Sequence, residues 1–189
     1  MMKKKIEGII QESVAVKTAL IGPQVDNIMS AAESMIKALK SGGKVIVFGN
    51  GGSAADSQHI AAEIVGRFMK ERKGLPAIAL TVNTSVLTAI ANDYSYEEVF
   101  SRQLDAIAGK NDVAIGISTS GKASNVIRAV GLANDKGLDT IALTGGDGGG
   151  LAKTAKISIV VPSKSTPRIQ ESHVTIAHIL CQLVEEALF

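Results

Sequence analysis

VIVFGNGGSAADSQHIAAE, residues 45–63, reads as a strand, a glycine turn and a helix in immediate succession. Val45 to Phe48 is apolar without polar alternation, which suits a strand buried on both faces. Gly49-Asn50-Gly51-Gly52-Ser53 interrupts it, and the pattern from Ala54 to Phe68 predicts a helix. Further short apolar runs follow at Ala77 to Leu80, Val113 to Ile117, Thr140 to Leu143 and Ile157 to Val161. Helical stretches between them imply right-handed crossovers and a parallel sheet. The chain is therefore read as α/β, with a doubly wound five-stranded parallel sheet flanked by helices. Ligands of such sheets bind at the carboxyl ends of the strands, near the switch in strand order, so function is sought in the loops after these runs.

Outward from this core, residues 1–41 read as two helical segments divided near Gly22-Pro23, where proline restricts both its own backbone and that of the residue before it. In the second segment Val25, Ile28, Met29, Ala32, Met35, Ile36 and Leu39 recur at helical steps, and Gly42-Gly43 closes it. The chain thus divides into an N-terminal helical extension, 1–41, and an α/β domain, 42–189, forming one structural unit. The extension's stripe must be covered by the core or by another subunit.

Composition excludes several classes. Of 189 residues 46% are hydrophobic, enough for a core and against disorder. Lys and Arg number 20 against 18 Asp and Glu, with no basic stripe that would suit nucleic acid. A lone Cys181 in an apolar run reads as core and favours a reducing compartment. MMKKKIEGII starts like a signal peptide, but Glu7, Gln11, Glu12 and Lys17 interrupt any apolar segment, and no run is long enough to span a membrane. The expectation is a cytoplasmic protein without nucleic-acid or membrane partners.

Two loops have the chemistry of an anion site. Glycines in Gly49 to Gly52 allow close backbone approach, Ser53 offers a cap or a hydroxyl, and the first-turn amides favour a phosphate. The spacing matches neither the dinucleotide fingerprint nor the Walker pattern. After the third run, Ser118-Thr119-Ser120-Gly121 presents three hydroxyls before a helical stretch, Ser124 to Asn134, and can donate to a phosphoryl group without a cation. Thr144-Gly145-Gly146-Asp147-Gly148-Gly149-Gly150 reads as a mobile surface loop without chemistry. His59 and Glu63 lie four apart on one helix face, a spacing that serves two metal ligands, a base with its partner, or a surface hydrogen bond. The last helix, Pro167 to Leu188, carries Gln170, Glu171, His173 and His178, and spacing does not choose between the two histidines.

GNGGSAADSQHIAAE, GRF, LTAIANDY, FSRQ, GISTSGK, ALTGGDGG and RIQESH followed by His178, in that order, resemble the phosphoheptose isomerases (sedoheptulose 7-phosphate isomerases) of the sugar isomerase (SIS) domain superfamily. The resemblance implies a homotetramer with active sites between subunits. It implies conversion of sedoheptulose 7-phosphate to D-glycero-D-manno-heptose 7-phosphate by enediol proton transfer, the first step of ADP-heptose synthesis for cell-envelope glycans such as lipopolysaccharide. By position it makes Glu63 the base and His178 its partner. It places Asn50, Gly51, Gly52, Ser53, Arg67, Asn92, Asp93, Ser118, Thr119, Ser120 and Gln170 with Glu63 around the substrate. The family's zinc set falls on His59, Glu63, Gln170 and His178, and no organic cofactor is implied. Relatives often carry Ser where this chain has Ala123, so Lys122 or Ser124 would compensate at the phosphate. Non-catalytic relatives bind sugar phosphates or, in one bacterial case, a replication initiator. The initiator-binding protein lacks the Glu and the final His, both present here as Glu63 and His178.

Overall fold

The computed structural model describes residues 1–189. Five parallel strands, β1 (Val45–Gly49), β2 (Ala77–Ala79), β3 (Val113–Ser118), β4 (Asp139–Gly145) and β5 (Ile157–Val161), form one sheet in the order β2-β1-β3-β4-β5. The strand order reverses between β1 and β3, which pair in register from Val45–Val113 to Gly49–Ile117. Their two following loops are therefore neighbours at the switch point.

Because strand side chains alternate, each strand feeds two cores. Val45, Val47, Val113, Ile115, Ile117, Ile141 and Leu143 face α2 (Val25–Lys40), α3 (Gly52–Val65) and α8 (Thr166–Leu188). Ile46, Phe48, Ala114 and Ala142 face the opposite layer. That layer holds α4 (Thr84–Asp93), a 3-10 turn (Tyr96–Glu98), α5 (Ser101–Ile107), α6 (Ser124–Asp135) and α7 (Gly149–Thr154). Burial on both sides explains why the strand runs show no polar alternation.

Helix α1 (Met2–Thr18) lies against α8 and contains no buried residue. Val16 packs on the core from this helix, and polar contacts add to it: the buried Arg168 donates to the Ile9 carbonyl (2.9 Å), and Ser13 donates to Glu171 (2.6 Å). Ile6, Ile9, Ile10 and Val14 remain exposed along its outer side.

The structure corrects two sequence readings here. Helix α3 starts at Gly52 and stops at Val65, where the pattern predicted Ala54 to Phe68. The amides of Phe68, Met69 and Lys70 donate to the Glu185 carboxylate on α8 and so cannot continue the helix. The second correction is the 144–150 segment, which is a packed turn and not a loose loop. Gly148 and Gly149 adopt left-handed conformations (φ 78° and 57°), and a Cβ on Gly121 would lie 2.0 Å from the Gly148 carbonyl oxygen.

Candidate active site

Three elements converge at the carboxyl ends of β1 and β3. Helix α3 opens directly after the β1 turn, with Gly51 preceding it at φ 56°, a conformation open to glycine at little cost. Ser53 sits inside the first turn, buried, and its amide donates to the Asn50 carbonyl (3.0 Å). It therefore does not cap the helix, contrary to one sequence reading. Asn50 reaches across the switch point instead. Its amide group and that of Asn125, near the start of α6, exchange hydrogen bonds of 2.9 and 3.0 Å, and Tyr96 donates to Asn50 Oδ1 (3.2 Å). This bracket locks the two loops together. The sequence reading missed Asn125 and Tyr96; an Asn beside Ser124 at a helix start was a local signal, whereas nothing local marks Tyr96.

The hydroxyl loop ends β3. Ser118 is buried, while Thr119 and Ser120 line a cavity of about 260 Å³ with Lys122, Ser163, Lys164 and Thr166. None of the three hydroxyls caps α6, because that helix begins at Ser124 and its cap position holds Ala123, which has no hydroxyl to offer. In the first turn of α6 the Val126 amide is taken by Asn125 Oδ1 (2.9 Å), which leaves the amides of Ser124 and Asn125 with capacity for an anion. Lys164 was not picked out from sequence, since it lies in the loop after β5, far from the hydroxyl motif. Larger clefts, of about 420 Å³ beside Glu98 and Arg128 and about 410 Å³ beside Ile78 and Val86, carry neither the hydroxyl loop nor Glu63 and His178.

Helix α8 crosses the mouth of the site. Gln170 presses on the glycine turn: a Cβ on Gly52 would lie 2.1 Å from Gln170 Nε2, so a larger residue there would have to displace the Gln170 side chain. The two histidines have separate fates. His173 is buried and donates from Nε2 to the Thr144 carbonyl (3.1 Å); burial pulls its pKa down to about 4 despite that bond. His178 instead meets α3. Its Nε2 stands 2.8 Å from His59 Nε2, and His59 Nε2 is 3.6 Å from Glu63 Oε1. Phe68 lies against His178 with ring centroids 5.5 Å apart. Asp56, one turn before His59, has a buried oxygen without a partner; burial pushes its carboxyl up, and His59 partly offsets this. Cys181 is core as expected, and burial, followed by the nearby Glu63 carboxylate, pushes its thiol up to about 12.

One donor atom each from His59, Glu63 and His178 lies within 4.8 Å of the others. Two imidazole nitrogens and a carboxylate oxygen form the type of set that binds zinc with a position left open. These residues fit a metal by that chemistry, whereas the uncharged Gln170 amide lies against Gly52, about two helical turns before His178 on α8. Three predicted residues are not joined to this cluster within the chain. Arg67 is exposed and pairs with Glu71 (3.5 Å), and Asn92 donates to its neighbour Asp93 (2.9 Å) on the exposed end of α4.

The SIS domain family matches residues 10–145 of the chain. A phosphoheptose isomerase of Aquifex aeolicus is 54% identical, with 98% of this chain and 97% of that protein covered. That of Citrifermentans bemidjiense is 52% identical over 100% and 98%. Among solved structures, the phosphoheptose isomerase of Neisseria gonorrhoeae superimposes with a TM-score of 0.92 at 42% identity, over 98% of this chain and all of that one. The Francisella tularensis phosphoheptose isomerase gives 0.93 at 36% identity, over 98% and 99%. Identity of this degree over full length, on a fold that superimposes on solved phosphoheptose isomerases, places the chain in the phosphoheptose isomerase family of SIS-domain proteins.

Proposed function

We infer that this chain is an aldose-ketose isomerase that converts sedoheptulose 7-phosphate to D-glycero-D-manno-heptose 7-phosphate. The observation that carries this reading is the convergence of a carboxylate on α3 with an imidazole on α8, in a chain about half identical to phosphoheptose isomerases over its whole length. The phosphate is held by Ser118, Thr119, Ser120 and the first-turn amides of α6, with Lys122 supplying charge where Ala123 lacks a hydroxyl. Asn50, Gly51, Gly52, Ser53 and Gln170 shape the channel for the sugar. Glu63 removes a proton from C1 of the open ketose and returns it to C2, while a proton leaves O1 and another reaches O2 through His178. The carbonyl thus passes from C2 to C1, and no external oxidant or reductant is required.

His59, Glu63, Gln170 and His178 would hold zinc, which when bound supplies polarisation of the substrate carbonyl. A carboxylate committed to a metal is a weaker base, so chelation with measured zinc content separates the two uses of Glu63. Fully active, metal-free protein would exclude an obligatory ion. Arg67, Asn92 and Asp93 reach a sugar only across a subunit boundary in this reading, which agrees with a homotetramer. The exposed apolar side of α1 supports such an assembly. A cytoplasmic role in supplying heptose for cell-envelope glycans follows from the reaction. No helix is long and apolar enough to cross a membrane.

The test is turnover of sedoheptulose 7-phosphate by the purified protein beside five- and six-carbon ketose phosphates. Glu63→Gln keeps the shape and loses the base, so kcat should fall by about 100-fold or more with KM little changed. Preference for a shorter sugar would defeat the heptose assignment, and wild-type turnover by the variant would remove Glu63 from the mechanism.

A further inference from the structure

The helices bearing Glu63 and His178 are joined by a strap, residues 66–72, whose path is set by two buried side chains outside the site. Glu185 follows His178 by seven residues on α8, which at 3.6 residues per turn is two turns along the same face. Its carboxylate accepts hydrogen bonds from the amides of Phe68 (3.0 Å), Met69 (2.7 Å) and Lys70 (2.8 Å), and from Arg72 Nε (2.8 Å). Arg72 then closes the end of α3, donating from Nη2 to the Glu63 carbonyl (2.9 Å) and from Nη1 to the Ile64 carbonyl (3.0 Å). Those are carbonyls that a helix end leaves without intrahelical partners. Both side chains are only 2% exposed. Burial by itself pushes the Glu185 carboxyl up, but the three amides and Arg72 outweigh it and hold the group at about 2.

This network touches both halves of the reacting pair. Arg72 bonds the backbone of Glu63, and Phe68, whose amide Glu185 holds, packs its ring on His178. A buried ion pair is weak grounds for stability, since apolar replacements of similar volume are commonly as stable. What this pair supplies is direction: guanidinium and carboxylate fix where α3 ends and how the strap meets α8.

We propose that Arg72 and Glu185 are positioning residues for the isomerisation, clamping the end of α3 to α8 and so setting the separation of the Glu63 carboxylate from the His178 imidazole. The clamp's catalytic role rests on Glu63 and His178 being the reacting pair. A shift on the order of 1 Å at a reacting group costs about 100-fold in rate. Phosphate binding is made at the loops after β1 and β3 and is spared.

The experiment compares wild type with Glu185→Gln, Arg72→Lys and the Arg72→Met/Glu185→Met double variant. Asp112→Asn is the control: Asp112 is also buried and ion-paired, with Lys44, but at the amino ends of β1 and β3. The readouts are kcat and KM for sedoheptulose 7-phosphate, the side-chain NMR signals of the three histidines, and thermal melting. The clamp predicts a fall in kcat of about 100-fold with KM within about threefold, in samples shown to be folded. It also predicts that the His59 and His178 signals move while that of His173 stays. Asp112→Asn should lower the melting temperature and move none of these. Should a single variant fail to fold, the double variant, which leaves no unpaired buried charge, carries the same readouts. Wild-type kcat with unmoved His59 and His178 signals overturns the proposal, as does an equal response in Asp112→Asn. If the wild-type protein does not turn over the heptose phosphate, the reading of the site fails, whereas the histidine signals still decide whether the clamp sets the geometry.

Discussion

Ala123 occupies the cap position of α6 and offers no acceptor, so the Val126 amide of the first turn donates to Asn125 Oδ1 (2.9 Å) instead. A serine hydroxyl at this position competes with Asn125 for that amide, so Ala123→Ser should stabilise the protein by less than about 1 kcal/mol, measured by urea unfolding. The same hydroxyl adds a donor at the phosphate, so KM for the phosphorylated sugar should fall; an unchanged KM would place the phosphate elsewhere. His173 makes a different prediction. Its pKa in the folded protein, about 4, lies below the ordinary 6.5, so between those values the unfolded chain binds more protons. The contribution is fully present above pH 6.5 and is lost as pH falls toward 4. The loss is roughly 3 kcal/mol at its fullest. His173→Gln should flatten the fall in unfolding free energy between pH 7 and pH 4.5, and an unaltered slope would mean that the charged imidazole finds a partner in the fold. His173 and His178 were indistinguishable by spacing, since what separates them is the layer each faces. One turns to the Thr144 carbonyl near the carboxyl end of the interior strand β4, and the other to His59 on α3.

At the level of elements, the hydroxyl loop depends on its neighbour. Gly121 holds a left-handed conformation (φ 64°) with the Gly148 and Gly149 backbone packed on it, and its carbonyl accepts from Leu151 (2.9 Å). Gly121→Ala therefore combines about 1–2 kcal/mol of backbone cost with a clash that must part the loops after β3 and β4. The expected result is a raised KM with kcat less affected, together with a lower melting temperature; wild-type KM would show that the hydroxyl loop does not grip the phosphate. The ends of α3 were the least legible part of the sequence. Its apolar spacing continues to Phe68, yet the helix stops at Val65 because Glu185, 117 residues after Phe68, captures the next amides. No local pattern encodes an acceptor that distant. The strand runs, in contrast, were readable because burial on both faces writes itself directly into an uninterrupted apolar composition.

For the whole molecule, the outer side of α1 is the conspicuous unsatisfied surface, with Ile6, Ile10 and Val14 one turn apart and exposed. An assembly that covers them should be broken by Ile6→Asp with Ile10→Asp. Light scattering should then report a smaller species than wild type, and activity should drop if Arg67, Asn92 and Asp93 act across the boundary. A wild-type protein that is already monomeric at micromolar concentration would count against both the tetramer and the shared site.

Strand composition, the glycine turn, the three hydroxyls and the His59–Glu63 spacing are all local, so the amino-acid order alone determined a parallel α/β sheet with glycine and hydroxyl loops at its strand ends and a titratable helix face. The family resemblance followed from the same short segments. Spacing left the choice of histidine open and the resemblance named His178; tertiary structure alone decided that Asn50 bridges to Asn125, that the glycine segment after β4 is packed, and that Arg72 and Glu185 tie the two helices together. Each of these joins residues far apart in the chain, and periodicity carries no information about which distant group a buried polar atom will find when it must have a partner.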